Sequence, residues 1–259
     1  MDRADFDHIA NQYDADFSNT LIGQAQRKLV WNILDKYYPT FEGIDVLEIN
    51  CGTGVDAVRL AEKNANILAT DIAPEMVNVT RSKLKEFSNA KVQQLNINHI
   101  ETVNQKFDLI FSNFGGLNCL DSSELSSFIS KATALIKDDG MLILVIMPQN
   151  TIWETLYFSS KLSPKKAFRR MKKEGVTANV EGKQVQTYYY NPSYFNQFKD
   201  WNVRSATPIG LYVPPSYLER RYTDKPKKIE RYFKKDLAKF NKKSLAKFAD
   251  HYCIVLEKK

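Results

Sequence analysis

The stretch DVLEINCGTGVDAVRLAEKNANILATD, residues 45–71, reads as an apolar strand, a glycine turn, a helix and a second strand. Gly52 and Gly54 lack a β-carbon, so the chain can turn sharply there and a ligand can approach the backbone. Asp71 ends the second strand about 20 residues after the glycines, where folds of this kind place an acid for ribose hydroxyls. The stretch therefore predicts a site for a cofactor that contains a nucleoside.

Two features distinguish between the candidate cofactors. Residues 52–57, GTGVDA, satisfy the dinucleotide fingerprint G-x-G-x-x-A, so an NAD-dependent dehydrogenase is one alternative. Glu48 lies on the first strand before Gly52, however, and a carboxylate there suits a cationic ligand and repels a pyrophosphate. In addition, 44 residues precede this strand, whereas a dinucleotide-binding domain often begins with it. Both features argue against a dehydrogenase, and the first suits the amino-acid end of S-adenosylmethionine.

Five segments resemble the motifs of one enzyme family. In chain order they are FDHIANQYDADF (residues 6–17), VLEINCGTG (46–54), ATDIAPEMV (69–77), FDLIFSNFGGLNCL (107–120) and DDGMLILVIMP (138–148). On these motifs the chain resembles the class I S-adenosylmethionine-dependent methyltransferases, of the small-molecule type similar to the ubiquinone and menaquinone methyltransferases. Asn50 departs from the family pattern, which usually has a glycine at that position.

The resemblance implies a doubly wound α/β fold with a mostly parallel, seven-stranded sheet, and S-adenosylmethionine as the cofactor. It implies that Asp71 binds the ribose, that Ile72 and Met76 lie near the adenine, and that Asn96 and Ile97 hold the adenine. It also implies that the N-terminal segment closes over the cofactor. The predicted cofactor-binding residues are Glu48, Asn50, Cys51, Gly52, Thr53, Gly54, Asp71, Ile72, Met76, Asn96, Ile97 and Asn113.

Strands and helices alternate as far as residue 147, which predicts a parallel sheet. We expect strands at residues 46–49, 67–71, 91–95, 107–112 and 141–147. We expect helices at residues 6–13, 21–37, 55–63, 74–87 and 123–136. Asp138, Asp139 and Gly140 are expected to form the turn before the fifth strand.

After Pro148 the alternation stops. We expect a helical pair at residues 151–173, a hairpin at 176–190 with Glu181 and Gly182 as its turn, a helix at 192–198, a strand at 202–208, mostly helix at 222–248 and a last, antiparallel strand at 252–256. The prediction is a single domain, residues 1–259, with an N-terminal helical lid (1–40), a cofactor-binding core (41–148), helical and hairpin cap inserts (150–191 and 211–249) and closing strands (192–210 and 250–257).

Composition is typical of a globular protein. The chain has 259 residues, of which 43% are hydrophobic and 26% charged. Three cysteines in a chain of this length do not make a disulfide scaffold, which favours a reducing compartment. The acidic start MDRADFDH lacks the apolar run of a signal peptide, and the longest apolar run, MLILVIM, is too short for a membrane span. These features predict a cytoplasmic protein without a transmembrane segment.

Charge is distributed unevenly along the chain. Residues 1–150 carry a net charge of −7 and residues 151–259 a net charge of +14. The basic residues concentrate in KLSPKKAFRRMKK (residues 161–173) and in residues 220–247. Lysines on the solvated faces of amphipathic helices would explain this pattern, and so would an acidic substrate, an acidic carrier protein, nucleic acid or an anionic membrane surface. The sequence contains no nucleic-acid-binding motif that we recognise, which makes nucleic acid the weaker alternative.

The sequence leaves the catalytic residues open. The methyl group of a sulfonium is already activated, so the enzyme mainly has to align the acceptor. A general base is needed in addition where the acceptor is a hydroxyl or a carbon acid. His8, Tyr13 and Asn113 are the candidate catalytic residues, whereas His99 is expected to be solvated and His251 structural or exposed. No Cys-x-x-Cys or His-x-x-x-His pair is present, so no metal site is predicted.

Aromatic residues are frequent in the predicted inserts. They are Trp153, Tyr157, Tyr188, Tyr189, Tyr190, Tyr212 and Tyr217. They are expected either to line a pocket for a flat or lipid-like acceptor or to fasten the inserts to the sheet.

The predicted function is methyl transfer from S-adenosylmethionine to a small organic acceptor, through oxygen before nitrogen or carbon. The alternatives are an acceptor carried on an acidic protein, a nucleic-acid-binding methyltransferase, a cofactor-binding protein without catalysis, and the dehydrogenase.

Overall fold

The computed structural model describes residues 10, 12–180 and 183–259. Its strands, in chain order, are β1 (Asp45–Ile49), β2 (Asn66–Asp71), β3 (Ala90–Gln94), β4 (Phe107–Ser112), β5 (Ile136–Ile146), β6 (Val176–Val180), β7 (Lys183–Thr187), β8 (Trp201–Ile209) and β9 (His251–Lys258). Seven of them form one sheet in the order β3-β2-β1-β4-β5-β9-β8, and β6 pairs with β7 in a separate hairpin. Strands β1 to β5 run parallel, and β9 runs antiparallel between β5 and β8.

Helices connect the parallel strands. The α-helices are α1 (Leu21–Tyr37), α2 (Val55–Glu62), α3 (Pro74–Leu84), α4 (Ser122–Leu135), α5 (Ile152–Ser159), α6 (Pro164–Ala167) and α7 (Pro226–Leu237). Shorter 3₁₀ helices span Ile97–Thr102, Gly116–Cys119, Arg169–Met171, Pro192–Gln197, Ser216–Arg221 and Lys243–Phe248, and a π-helical turn spans Asp14–Ser18. The predicted helix at residues 6–13 lies mainly outside the described residues. The predicted hairpin turn at Glu181 and Gly182 lies wholly outside them.

Both faces of the sheet are covered. Successive side chains of a strand point to opposite faces, and β5 shows this directly. Leu142 and Leu144 pack in one hydrophobic layer with α4, whereas Ile143 and Val145 pack in a second layer with α1, α2 and α7. This arrangement confirms the predicted doubly wound, mostly parallel fold.

No helix in the described part of the chain is long and apolar enough to cross a bilayer. The cytoplasmic location inferred from composition stays a prediction.

The region before β5 differs from the prediction. The expected turn at residues 138–140 lies inside β5, because the strand already begins at Ile136. Phe107 pairs with Ile136 and Leu109 pairs with Met141, so the extra residues of β5 form a bulge. Burial explains the early start, since Ile136 is fully buried and lies directly against Gly140, where a β-carbon would stand 2.7 Å from its side chain. The Asp-Asp-Gly sequence is therefore a bulge in the strand and not a helix-to-strand turn.

The stretch predicted as mostly helix, residues 222–248, is only partly α-helical. Helix α7 begins at Pro226, a residue that suits the first helical turn, and ends at Leu237. Beyond it, the N–H of Lys239 donates to Asp236 and the N–H of Phe240 to Leu237, three residues back. Such 3₁₀-type bonds tighten and end a helix. In the same way α3 ends at Leu84 and not at residue 87 as predicted.

The first turn of α1 is capped by a residue from the other end of the chain. The Glu219 carboxylate accepts hydrogen bonds from the N–H groups of Leu21 and Ile22, at 3.1 and 3.0 Å. The hydroxyl of Thr20 accepts from the N–H of Gly23 at 3.0 Å. A carboxylate at a helix N-terminus also interacts favourably with the helix dipole. The start of α1 is thus fixed jointly by local and distant residues.

Asp236 of α7 organises the loop that follows β8. Its fully buried carboxylate accepts hydrogen bonds from the backbone N–H groups of Leu211, Tyr212 and Val213, at 2.9–3.0 Å. This side chain holds α7 against the carboxyl end of β8.

We expect Asp236→Ala to lower the free energy of unfolding by about 3 kcal/mol, because three buried N–H groups lose their acceptor. Glu230→Ala on the same helix is the matched control. Glu230 forms an exposed pair with Lys234, and its loss should cost less than about 0.5 kcal/mol. Urea unfolding measures both, and equal effects of the two substitutions would contradict the role of Asp236.

Candidate functional site

The site begins at the turn between β1 and α2, at the carboxyl edge of the sheet. Asn50, Gly52 and Gly54 all lie in the left-handed region, with φ of 54°, 55° and 75°. A β-carbon on Gly54 would stand 2.7 Å from the Thr80 side chain, so α3 and the backbone conformation both require glycine there. Asparagine is one of the few other residues that adopt this conformation readily, which explains how Asn50 replaces a glycine.

Asp71 fixes this turn from the end of β2. Its buried carboxylate accepts hydrogen bonds from the backbone N–H groups of Gly52 and Ala73, both at 2.9 Å. The side chain also lines the larger of two cavities at this edge of the sheet. Its place agrees with the one predicted for ribose binding, and the role itself stays a prediction.

The two cavities adjoin one another. Their volumes are about 340 and about 30 Å³. Residues that line both are Tyr13, Arg27, Asn50, Gly52 and Phe114. Of the other predicted cofactor-binding residues, Asp71, Ile72, Met76, Asn96 and Ile97 line the larger cavity, and Glu48, Cys51, Thr53 and Asn113 line the smaller. Gly54 shapes the turn behind them. The structure thus brings the predicted set together, while each contact with a cofactor stays a prediction.

A buried polar cluster surrounds the smaller cavity. The Asp56 carboxylate is bound by the guanidinium of Arg27, the indole N–H of Trp31 at 2.6 Å and the side-chain amide of Asn113 at 2.9 Å. Arg27 also lies over the Phe114 ring, 5.4 Å from its centroid. Asn113, predicted as catalytic, therefore orients Asp56 at the smaller cavity, and its catalytic role stays a prediction.

Glu48 is buried beside this cluster. Burial, reinforced by the nearby charge of Asp56, raises the pKa of Glu48 well above its usual range. Within the described residues, Glu48 Oε2, Asn50 Nδ2 and Arg27 Nε are buried without a hydrogen-bond partner. One carboxylate acceptor and two donors on one small cavity fit a group that carries both an ammonium and a carboxylate, as an α-amino acid does.

The N-terminal segment covers the larger cavity. Tyr13 and Phe17 stack with 5.0 Å between ring centroids and pack against Met76 of α3. The Thr53 hydroxyl donates to the Asp14 carboxylate at 2.6 Å, so the glycine turn holds this segment directly. Burial raises the pKa of Tyr13, which keeps its phenol protonated. The segment lies where the sequence prediction placed a lid.

The larger cavity has an apolar part of its lining and one imidazole. The apolar lining residues include Phe17, Phe114, Cys119, Leu120 and Met147. His251 also lines this cavity, with only 13% of its side chain exposed. Its ring meets Phe114 edge-on at 5.3 Å, and its Nδ1 lies 3.1 Å from the Asp250 carboxylate. Of the two expectations for His251, structural or exposed, the small exposed fraction does not fit the second, and a role in the site stays a prediction.

The direction of β9 brings His251 to the site. Because β9 runs antiparallel to the other strands, its first residue lies at their carboxyl edge, opposite Ile209 at the end of β8. His99, by contrast, is 65% exposed, as predicted. His8 lies outside the described residues. Among the described residues, no group of three His, Cys, Asp or Glu side chains is placed to hold a metal ion.

Asp250 connects the site to the segment after β5. Its carboxylate is bound by Arg170 at 3.0 Å and by Gln26 of α1 at 3.2 Å. Arg170 in turn binds the buried Glu154 of α5 at 2.8 Å. A continuous chain of buried polar contacts thus runs from α5 to His251.

The aromatic residues of the inserts fasten them to the sheet. The Tyr190 hydroxyl donates to the Leu120 carbonyl at 2.6 Å, and the Tyr189 ring lies 5.2 Å from the Arg170 guanidinium. The larger cavity is walled by Tyr13, Phe17 and Phe114, with none of the seven insert aromatics among its lining residues in the described structure. Of the two expectations for these aromatics, the structure therefore favours fastening.

Comparison with known proteins agrees with this geometry. Residues 46–140 match the family model described as a methyltransferase domain. This chain carries a methyltransferase domain. The predicted resemblance to class I methyltransferases is thereby confirmed, and with it S-adenosylmethionine as the cofactor of the family.

Two curated relatives align with part of the chain. The malonyl-[acyl-carrier protein] O-methyltransferase of Acetivibrio thermocellus is 31% identical over 166 residues, which cover 62% of this chain and 54% of that protein. The demethylmenaquinone methyltransferase of Tropheryma whipplei is 26% identical over 140 residues, which cover 54% of this chain and 56% of that protein. The chain thus spans about half the length of these relatives.

Solved structures support the fold over nearly the whole chain. An S-adenosylmethionine-dependent methyltransferase from Clostridium acetobutylicum superposes with a TM-score of 0.61 at 15% identity, covering 98% of both chains. Magnesium protoporphyrin IX methyltransferase from Synechocystis superposes with a TM-score of 0.59 at 14% identity, covering 92% of this chain and 86% of that one.

Arg27 and His251 are two of the cavity-lining residues that lie outside the matched segment. Arg27 reaches both cavities from α1, and His251 reaches the larger one from β9. Sequence reasoning missed both. The adjacent pair Asp250 and His251, just before a last strand expected to be antiparallel, was the signal that could have indicated the histidine.

We expect Gly116→Ala to destabilise the protein by about 2 kcal/mol, because its β-carbon would stand 2.5 Å from that of Asn50 and displace the glycine turn. Gly43→Ala is the control for backbone strain alone. Gly43 has φ of 74° with open space around it, so its substitution should cost about 1 kcal/mol. Urea unfolding compares the two, and a smaller effect at Gly116 would contradict the close approach.

Proposed function

We propose that this protein transfers a methyl group from S-adenosylmethionine to a small organic acceptor, and that oxygen is the favoured acceptor atom. The observation that carries the proposal is the pair of adjoining cavities. The smaller is lined by charged and polar groups that suit an amino acid, and the larger is lined by apolar side chains and one imidazole. The two cavities are joined at Asn50 and Gly52, where the backbone allows close approach of a ligand.

The site fits the cofactor in three places. Glu48, Asn50 and Arg27 would hold its amino-acid end, through the atoms that have spare hydrogen-bonding capacity. Asp71 would accept from the ribose hydroxyls. The adenine would lie between the apolar side chains of Ile72, Met76 and Ile97, with the Asn96 amide at its edge.

The bound sulfonium supplies an activated methyl group, so the protein has to align the acceptor and exclude water. Tyr13, Phe17, Phe114 and His251 all line the larger cavity and would shield the reacting groups from water. The Nε2 atom of His251 would accept the proton of an acceptor hydroxyl. The Asp250 carboxylate, 3.1 Å from Nδ1, would stabilise the imidazolium that results.

An acceptor carried on an acidic protein is the second candidate. The relative from Acetivibrio thermocellus is named as an O-methyltransferase of a malonyl group on acyl-carrier protein, which favours oxygen and makes this candidate specific. A carboxylate acceptor needs no base, whereas a hydroxyl acceptor does. Dependence on His251 therefore separates the two candidates.

We expect S-adenosylhomocysteine, and not NAD, to bind in calorimetry. Because ligand ammonium favours ionised Glu48, affinity should rise with pH from the usual glutamate range up through the raised pKa. Glu48→Gln should weaken binding about tenfold or more and remove this part of the pH dependence.

NAD is the control ligand, and Glu86→Gln, at an exposed surface acid, is the control variant. Binding of NAD in place of S-adenosylhomocysteine would replace the proposal by the dehydrogenase. Unchanged affinity in Glu48→Gln would remove Glu48 from the site.

We expect His251→Gln to lower kcat by roughly 10²-fold to 10⁴-fold for a phenol or quinol acceptor, since proton transfer to a positioned base contributes that much. The affinity for S-adenosylhomocysteine should change little, because His251 is proposed to contact the acceptor and not the cofactor. Labelled methyl transfer to a panel of phenols and quinols supplies the assay.

His99→Gln, at the exposed histidine, is the matched control and should keep the wild-type rate. Retention of the wild-type kcat by His251→Gln would exclude the imidazole as the base. Turnover restricted to malonyl-loaded acyl-carrier protein, with no effect of His251→Gln, would favour the second candidate.

A further inference from the structure

The segment after β5 exposes large apolar side chains. Among the residues that the structure describes, six large hydrophobic side chains are exposed, and five of them lie in residues 152–171. These five are Ile152, Leu156, Leu162, Phe168 and Met171. Leu162 is 91% exposed and Leu156 is 65% exposed. A concentration of this kind on one short segment marks an interaction site more often than chance exposure does.

Helix α5 has a buried carboxylate on one side and exposed apolar side chains on the other. Glu154 is buried and binds Arg169 and Arg170, whereas Trp153 and Tyr157 pack partly against the core. At 100° per residue, Ile152 and Leu156 lie on the side of the helix opposite Glu154. Two large apolar side chains on the solvent side depart from the usual amphipathic helix of a globular protein.

The 3₁₀ turn that follows α6 repeats this arrangement. Arg170 points into the buried polar contacts, whereas its neighbours Phe168 and Met171 are exposed. The charged groups thus fix the segment to the protein from within, and the apolar side chains are left for another surface.

Positive charge surrounds the exposed apolar side chains. The exposed lysines of the segment are Lys161, Lys165, Lys166, Lys172 and Lys173. The one acid in residues 152–173 is Glu154, and it is buried. Tyr157 lies between Lys161 and Arg221, 4.7 and 5.1 Å from its ring centroid, which extends the positive surface to the Ser216–Arg221 helix.

We propose that this basic and apolar face, the exposed side chains of residues 152–173, docks the protein onto an anionic lipid membrane. Interspersed lysines attract the acidic head groups, and Leu, Phe and Met side chains enter the acyl boundary, as in interfacial segments. A nucleic acid would pair with the lysines but leave Leu162 in water. An acidic protein would need an apolar groove beside its acids, whereas an anionic bilayer offers both to any such face. The combination of charge and exposed apolar area therefore favours the membrane.

The face lies close to the larger cavity. Ser216 lines that cavity, and the next residue, Tyr217, packs on Tyr157 of α5 with 6.2 Å between ring centroids. Docking would bring the cavity entrance near the bilayer. Delivery of a lipid-soluble acceptor from the membrane rests in addition on the proposed function, whereas docking itself does not.

Co-sedimentation of the whole protein with phosphatidylcholine vesicles, with and without phosphatidylglycerol, tests the proposal. We expect binding only to the anionic vesicles, weakened by salt. Lys165→Gln/Lys166→Gln should lower the partition coefficient roughly 30-fold, from about 1 kcal/mol for each lysine. Leu162→Ser/Phe168→Ser should lower it at least about tenfold, through loss of the buried apolar area.

The control for the lysine pair is Lys85→Gln/Lys91→Gln, which removes the same charge from an exposed site elsewhere and should change binding little. All variants should keep the affinity for S-adenosylhomocysteine, which shows that they fold and separates this test from that of the proposed function. Absence of vesicle binding would overturn the proposal. Equal binding by wild type and Leu162→Ser/Phe168→Ser, or equally tight binding to soluble poly-glutamate or RNA, would also overturn it and point to an acidic protein or nucleic acid.

Discussion

The ion pairs of the Asp250 carboxylate fix the position of His251 beside the larger cavity. This carboxylate receives Arg170 from the segment after β5, Gln26 from α1 and His251 from the strand that it precedes. Burial alone would raise the pKa of Asp250, but His251 and Arg170 outweigh burial and hold it below the usual range. Removing one partner of such a buried pair typically costs about 3–5 kcal/mol, because the other charge is left unpaired. Three separate parts of the chain are therefore held to one point.

Around the smaller cavity, acidic side chains outnumber basic ones. Glu48, Asp56 and Asp71 lie close together, and Arg27 is the cation that the described structure places among them. Two consequences follow from this excess of carboxylates. A cationic ligand is favoured, and an anionic one such as a pyrophosphate is not. The preference for a cationic over an anionic cofactor thus rests on three carboxylates. For this preference the sequence indicated only one of them, Glu48 on β1.

Sequence periodicity predicted the strands and helices from β1 to β5, because most of the strands are apolar, the helices have apolar residues at helical spacing and turn residues separate them. It failed at residues 138–140, where a turn-like sequence is overruled by the burial of Ile136. The site was predictable where it lies on the glycine turn and β2. His251 was not, because its place at the site follows from the direction of β9 relative to the parallel strands. Arg27 was not predicted either, because a charged residue in the middle of a helix is usually exposed to solvent.

The capping of α1 by Glu219 has a consequence for how the chain folds during synthesis. Glu219 follows Leu21 by 198 positions in the chain. The first turn of α1 therefore leaves the ribosome long before its cap has been synthesised. Residues of this same helix, Gly23, Gln26 and Arg27, form one wall of the larger cavity. The parallel core can assemble in the order of synthesis, since its contacts are sequentially close. The cavity wall cannot, and the protein acquires a complete site only when almost all of the chain has been made.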